Sequence, residues 1–126
     1  MTDILIQVGD EEFRARLLPD RSPDTVREVL AALPIKSVAK TWGDEIYFEI
    51  PVQVAAENAQ ATVHKGDLGY WPDGSCFCIF YGKTPMSKSE DAIIPASPVN
   101  VIGAIENPQG LKKHRSGEQV IIKRAE

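Results

Sequence analysis

Apolar and polar residues alternate along the first 17 positions of the chain, a period typical of β-strands with one buried face. A polar turn over residues 9–12 divides this stretch into two strands. The alternation therefore predicts a β-hairpin. Its apolar positions are Ile4, Ile6, Val8, Phe13, Ala15 and Leu17.

The spacing changes to that of a helix after this hairpin. Ser22 is suited to the N-cap and Pro23 to the first helical position, and Pro34 would end the helix. The apolar residues between these limits recur three and four positions apart, so they form one stripe that packs on a β core. They are Val26, Val29, Leu30 and Leu33.

The rest of the chain is rich in short apolar or alternating runs separated by Gly and Pro. The turn Pro-Asp-Gly-Ser at 72–75 joins two of them into a second hairpin. With an extended piece at 93–98, we expect about eight short strands, and a helical turn or two within 108–115. This pattern favours a small closed or nearly closed barrel, since closure removes exposed strand edges. The later strands are predicted at 46–50, 68–71, 76–81, 99–105 and 118–124.

Composition adds limits to this picture. At 126 residues with 43% hydrophobic and 25% charged residues, the chain is expected to form one globular domain over residues 1–126. A net charge of −4 argues against a nucleic-acid or anionic-membrane partner. The first residues lack a signal-peptide pattern, and no apolar run approaches membrane-spanning length, so a cytoplasmic location is expected.

The two cysteines, Cys76 and Cys78, are two positions apart in a predicted strand. Neighbours of this kind rarely reach disulfide geometry, and neither His64 nor His114 has a ligand spacing to them. We interpret both as buried packing residues and expect no metal and no cofactor.

Four separated segments, in order, resemble the small prokaryotic single-domain proteins called cyclophilin-like, atypical relatives of the cyclophilin peptidyl-prolyl isomerases. The similarity spans nearly the whole chain. It implies a mainly β fold, a closed eight-stranded cyclophilin-like β-barrel capped by one or two α-helices. The segments are TWGDEIYF, GDLGYWPDG, FYGKTPMS and PASPVNVIG.

The same resemblance implies a departure from the isomerases. Their catalytic arginine lies on a strand after the first helix, and the corresponding region here carries Glu45, Tyr47 and Glu49. A guanidinium suits the charge pattern of a twisted amide, and an acid does not replace it. We therefore expect a domain of uncharacterised function that binds a small molecule or an extended peptide. The alternative is an isomerase with a non-standard active site.

Aromatic and polar residues collect in and around the segments 42–47 and 81–86, which we predict to form a ligand-binding groove. Three other interpretations compete with this one. The aromatic residues could pack in the core, Asn100 could have a structural role, and an exposed aromatic face could form an oligomer interface. For Glu45 and Glu49, a solvated strand face is favoured over a general-base role. The predicted ligand-binding residues are Trp42, Tyr47, Tyr81, Lys83, Thr84, Pro85, Met86 and Asn100.

Overall fold

The computed structural model describes residues 1–125, which form nine strands, one α-helix and one 3₁₀ helix. The α-helix α1 is Pro23–Ala32 and the 3₁₀ helix is Pro108–Lys113. The strands are β1 Thr2–Val8, β2 Glu11–Leu17, β3 Ile35–Val38, β4 Lys40–Thr41, β5 Glu45–Glu49, β6 Asp67–Trp71, β7 Cys76–Phe80, β8 Asn100–Ile105 and β9 Gln119–Arg124.

All neighbouring strands in the sheet are antiparallel, in the order β3-β9-β1-β2-β8-β6-β7-β5-β4. The two ends of the sheet approach each other. The Ser37 hydroxyl on β3, at one end, donates a 2.8 Å hydrogen bond to the carbonyl of Glu49 on β5, which lies next to β4 at the other end. The result is a nearly closed barrel, which confirms the predicted mainly β fold class.

The described residues contain nine strands where about eight were expected, for two reasons. The segment after α1 contributes β3 and β4, whereas the expected extended piece at 93–98 forms only an isolated bridge between Ile93 and Val63.

The segment after α1 offered no clear alternation: Lys36 and Ser37 separate Ile35 from Val38, and Val38 is exposed. These residues form strands because β3 pairs with β9 and β4 pairs with β5. β9 is distant in sequence, and β5 follows β4 across a turn. The period of the segment alone could not reveal them.

Two apolar clusters lie on opposite faces of the sheet around β7. The main cluster fills the barrel, and Phe77 and Ile79 of β7 belong to it. Cys76, Cys78 and Phe80 point to the other face, where a loop covers them with Ile93 and Val99. Burial on both faces explains why β7 is a continuous apolar run without alternation.

The N-terminus of α1 is capped from a distant part of the chain. The Glu57 carboxylate accepts hydrogen bonds from the backbone N–H groups of Asp24 (3.0 Å) and Thr25 (2.9 Å). Ser22 stands at the N-cap position, as expected, but its hydroxyl donates to the Glu57 carbonyl at 3.2 Å. The sequence therefore placed the start of the helix correctly and its cap on the wrong side chain.

Within residues 1–125, neither helix is long and apolar enough to cross a membrane.

Candidate functional site

A tight hairpin between β4 and β5 presents the first side chains of the candidate site. Trp42 and Glu45 close it with two backbone hydrogen bonds, from Trp42 N–H at 2.9 Å and from Glu45 N–H at 3.2 Å. Gly43, the first residue of the two-residue turn, has φ +60°, as a type II′ turn requires. Because opposed residues of an antiparallel pair project to the same side, Trp42 and Glu45 share a face. Tyr47 lies on this face too, two residues beyond Glu45.

The loop that follows β7 supports this hairpin from behind. The Asp44 N–H donates a 2.8 Å hydrogen bond to the Lys83 carbonyl. A Cβ on Gly43 would lie 2.8 Å from both the Lys83 carbonyl oxygen and the Pro85 ring. The predicted segments 42–47 and 81–86 are thus in direct contact, and Gly43 is the residue that permits it.

The shared face of the hairpin forms one wall of a pocket of about 270 Å³. Trp71, at the end of β6, contributes a second wall. The loop that leads into β8 contributes the third. The lining residues are Trp42, Glu45, Tyr47, Trp71, Pro95, Ala96 and Val99.

Two of the lining rings stand at right angles. The centroids of Tyr47 and Trp71 are 6.5 Å apart and their planes meet at 84°. The Trp71 indole N–H donates to the Ser97 hydroxyl, which donates in turn to the Asp73 carboxylate at 3.0 Å. This chain of hydrogen bonds holds the indole in place and ties the loop to the 72–75 turn.

Of the residues that the structure describes, Glu45 contributes the one carboxyl group to this largely aromatic and apolar lining. Its residue surface is 6% exposed, so the expectation of a solvated strand face is wrong for Glu45. Glu49, four residues on, is exposed as predicted. Burial raises the pKa of Glu45 to about 7, and contact with the Cys78 thiol offsets only part of that effect. The carboxyl therefore changes charge near neutral pH.

Both cysteines are free and buried behind the pocket. Burial raises the pKa of the Cys76 and Cys78 thiols, and the nearby acids act in the same direction. A thiol held in its neutral form is a poor nucleophile. Within residues 1–125, no group of three or more His, Cys, Asp or Glu side chains could hold a metal ion.

The structure divides the predicted ligand-binding residues into four groups: two that line the pocket, three exposed on the supporting loop, two buried beside the hairpin, and Asn100. Trp42 and Tyr47 line the pocket. Lys83, Pro85 and Met86 lie exposed on the supporting loop, and 53% of the Met86 surface is exposed.

Tyr81 and Thr84 form the third group, which is buried beside the hairpin. Tyr81 belongs to the main core, and burial raises the pKa of its phenol to about 12. The Thr84 hydroxyl donates to the Ile94 carbonyl, and its N–H donates to the Ser87 hydroxyl at 3.1 Å. Thr84 thereby joins the loop behind the hairpin to the loop that walls the pocket beside Pro95.

Asn100, the fourth group, is buried away from the pocket lining, and each polar atom of its side chain has a partner. Its carbonyl oxygen accepts from the Glu57 N–H at 2.8 Å. Its amide donates to the Thr25 hydroxyl (3.0 Å) and to the Ala55 carbonyl (3.1 Å). Asn100 therefore holds the capping segment 55–57 against α1, a structural role related to the tie between strands that the sequence suggested.

Sequence reasoning missed several lining residues. A local signal existed for Glu45, since a two-residue turn at Gly43 and Asp44 places it opposite Trp42. Trp71 was not among the predicted ligand-binding residues. The loop residues carried no signal, because their place beside the hairpin depends on long-range contacts. They are Pro95, Ala96 and Val99.

Comparison with known proteins agrees with this architecture. The chain is 46% identical to the hypothetical protein AF2241 from Archaeoglobus fulgidus, whose solution structure superposes with a TM-score of 0.83. That match covers 98% of this chain and 95% of AF2241. No curated protein sequence matches the chain.

A more distant likeness shows the fold alone. The structure of McbB in complex with tryptophan superposes with a TM-score of 0.70 at 16% identity, over 96% of this chain. The chain spans 44% of the length of McbB. Residues 2–123 match the family described as Cyclophilin-like, so the protein belongs to the Cyclophilin-like family.

Proposed function

We propose that this cyclophilin-like domain binds a small molecule, or one side chain of an extended peptide, in the pocket beside the β4–β5 hairpin. The observation that carries the proposal is an apolar cavity of about 270 Å³ with one buried carboxyl in its wall. Binding pockets typically combine aromatic walls with a few placed polar groups, and this volume suits a fragment-sized ligand.

The predicted ligand-binding residues take different parts in this proposal. Trp42 and Tyr47 contact the ligand, together with Trp71. Thr84 and Pro85 position the hairpin and the loop. Lys83 and Met86, exposed on the adjoining loop, would meet only a ligand longer than the pocket, such as a peptide. Tyr81 and Asn100 act through the core behind the site.

A thermal-shift panel of small aromatic and amine compounds, followed by calorimetric titration of the hits, tests the proposal. We expect at least one compound to raise the melting temperature, and the Trp42→Ala, Tyr47→Ala double variant to lose that response. Val38→Ala, which removes an exposed apolar side chain of β3, is the control and keeps the response. Hits whose binding survives the double variant would place the ligand elsewhere and refute the proposal.

The alternative is a peptidyl-prolyl isomerase with a non-standard site. A protonated Glu45 could donate a hydrogen bond in the pocket, but within residues 1–125 the lining includes no arginine or lysine to stabilise a twisted amide. We expect no turnover in a protease-coupled proline-peptide assay. Turnover abolished by Tyr47→Ala or Lys83→Ala would reverse this ranking.

A cytoplasmic location and the lack of nucleic-acid and membrane partners stay predictions from composition. The same holds for the expectation of no cofactor.

A further inference from the structure

The pocket combines two features that together define a class of ligand. Tyr47 and Trp71 present rings at 84° to each other, and Trp42 adds a third ring from the hairpin. The Glu45 carboxyl stands in the same lining, directly across the hairpin from Trp42. Perpendicular aromatic walls beside a carboxylate form the arrangement that binds organic ammonium groups, because ring faces attract cations.

We propose that this pocket is an aromatic cage for an alkylated ammonium group, with Trp42, Tyr47 and Trp71 around the cation and the Glu45 carboxylate as its counter-charge. This inference rests on the proposed function of the pocket and names its ligand class. Such a group occurs in small quaternary amines and in methylated lysine side chains.

A cation in the pocket would compensate a charge that is otherwise costly. An ionised carboxylate in an apolar lining lacks the solvation it has in water, and burial raises the pKa of Glu45 to about 7 for that reason. A bound ammonium group stabilises the ionised form, so binding near pH 7 releases a proton. A neutral ligand of the same shape has no such effect.

Several other titratable or charged groups lie near Glu45. On β7, burial keeps the Cys76 and Cys78 thiols neutral, and beyond it the pKa of Tyr81 is raised to about 12. Lys40, opposite Tyr47 on β4, carries a positive charge on the same face but is exposed. Asp44, in the turn, precedes Glu45 in the chain, and its carboxylate lies 4.0 Å from the Lys112 ammonium group.

A matched pair of probes separates charge from shape. Choline carries a trimethylammonium group, and 3,3-dimethylbutan-1-ol is its uncharged isostere. At pH 8.5 we expect choline to bind at least about tenfold tighter than the uncharged isostere, as measured by calorimetry or by Trp fluorescence. Because Glu45, with a pKa of about 7, is mostly protonated at pH 5.5, choline affinity falls about tenfold or more at that pH. The isostere shows no such fall.

Two variants with the same change of charge provide the control. Glu45→Gln removes the pH dependence of choline binding and its proton release, which calorimetry in two buffers of different ionisation enthalpy detects. Glu49→Gln, four residues along the same strand and exposed, leaves both unchanged. Thermal melts of the two variants verify that each is folded before titration.

The outcomes distinguish the cage from the pocket itself. Equal affinity for choline and its isostere, or binding of indole and tryptophan but of neither probe, refutes the ammonium cage and leaves the pocket as a site for neutral ligands. A choline preference that persists in Glu45→Gln refutes the role of the carboxylate. Failure of every probe and of the whole compound panel overturns the proposed function itself.

Discussion

Glu45 links the fold to the proposed function, because its buried carboxyl group lies in the wall of the pocket. It is an acidic side chain at the first position of β5, and the sequence of that strand alone predicts that it is exposed to solvent. Its carboxyl is instead enclosed by rings and a loop, which raises its pKa from 4.5 to about 7. A raised acid pKa costs stability whenever the group is ionised, and proteins accept such costs mainly at functional sites.

The free energy of unfolding should therefore fall as the pH rises from about 4.5 to about 7. Below about pH 4.5, Glu45 is protonated in both the folded and the unfolded chain and contributes no difference. Between that pH and 7 the unfolded chain alone loses the proton, and above 7 the folded state carries the full cost. The penalty is on the order of 3 kcal/mol.

Glu45→Gln removes this titration, so we expect the variant to be more stable than wild type at pH 8.5 and close to it at pH 4.5. Urea unfolding at the two pH values measures the difference. Glu49→Gln should show no such gain. A Glu45→Gln variant that is less stable at pH 8.5 would contradict the burial of an unfavourable charge.

At the scale of the element, the β4–β5 hairpin is shaped by a contact that only glycine permits. Gly43 has a positive φ, and the Lys83 carbonyl and Pro85 lie where a Cβ would stand. The turn could be anticipated from its Gly-Asp pair, but the packing against residues 83–85 could not.

Gly43→Ala should destabilise the protein by about 2 kcal/mol or more, since it adds a backbone clash to an unfavourable φ. Gly117→Ala is the matched control. Gly117 also has a positive φ, of 96°, but among the described residues no atom lies within 4 Å of a Cβ built there. It should cost only about 1 kcal/mol in urea unfolding. Equal losses in the two variants would mean that the loop moves freely away from the hairpin.

The start of α1 is a second element whose stability depends on a distant residue. The Glu57 carboxylate also accepts from the Thr25 hydroxyl at 2.7 Å, in addition to the two backbone bonds. Burial acts to raise its pKa, but the three hydrogen bonds outweigh it and the net shift is downward. The cap is therefore complete above about pH 4.5 and is lost as the pH falls through the lowered pKa.

We expect Glu57→Ala to cost about 1–2 kcal/mol at pH 7. Ser22→Ala should cost less, because the Ser22 hydroxyl makes a single bond to the Glu57 carbonyl. Denaturant unfolding of both variants measures the difference. A larger loss for Ser22→Ala would restore the local cap that the sequence suggested.

At the scale of the whole molecule, His114 joins three parts of the chain. Its ring nitrogens lie 2.8 Å from Glu11, the first residue of β2, and 2.8 Å from Glu118, ahead of β9. Burial acts to lower the pKa of His114, but the hydrogen bonds to the two glutamates outweigh it and raise the pKa. The pKa of each glutamate is lowered, chiefly by its hydrogen bond with His114.

This cluster should stabilise the barrel most between about pH 4.5 and 6.5. Above that range its contribution is lost as the pH passes the raised pKa of His114, and below it as the glutamates are protonated. His114→Gln should therefore lose more stability at pH 6 than at pH 9, as thermal melts would show. In the Glu45→Gln background the same His114 dependence persists, which separates the two titrations. A His114→Gln loss that is independent of pH would mean that packing against Phe13 matters and the charge does not.

Much of the architecture is determined by the sequence itself. The alternation of apolar residues specified β1 and β2, Pro23 and Pro34 bracketed α1, and the 72–75 turn specified the β6–β7 hairpin. These features depend on neighbours within a few residues, so local chemistry is sufficient for them. Four ordered segments were enough to indicate the Cyclophilin-like family, which the match over residues 2–123 confirms.

The tertiary structure decided the character of the site. Whether Glu45 is solvated or buried depends on Trp71 and on residues 95–99, which the sheet order β6-β7-β5 and the covering loop bring to it. The cap of α1 likewise comes from Glu57, more than 30 positions away. Burial, and with it the pKa of a carboxyl, depends on everything that surrounds a side chain in space. The sequence of the strand that carries Glu45 therefore could not determine its charge at neutral pH.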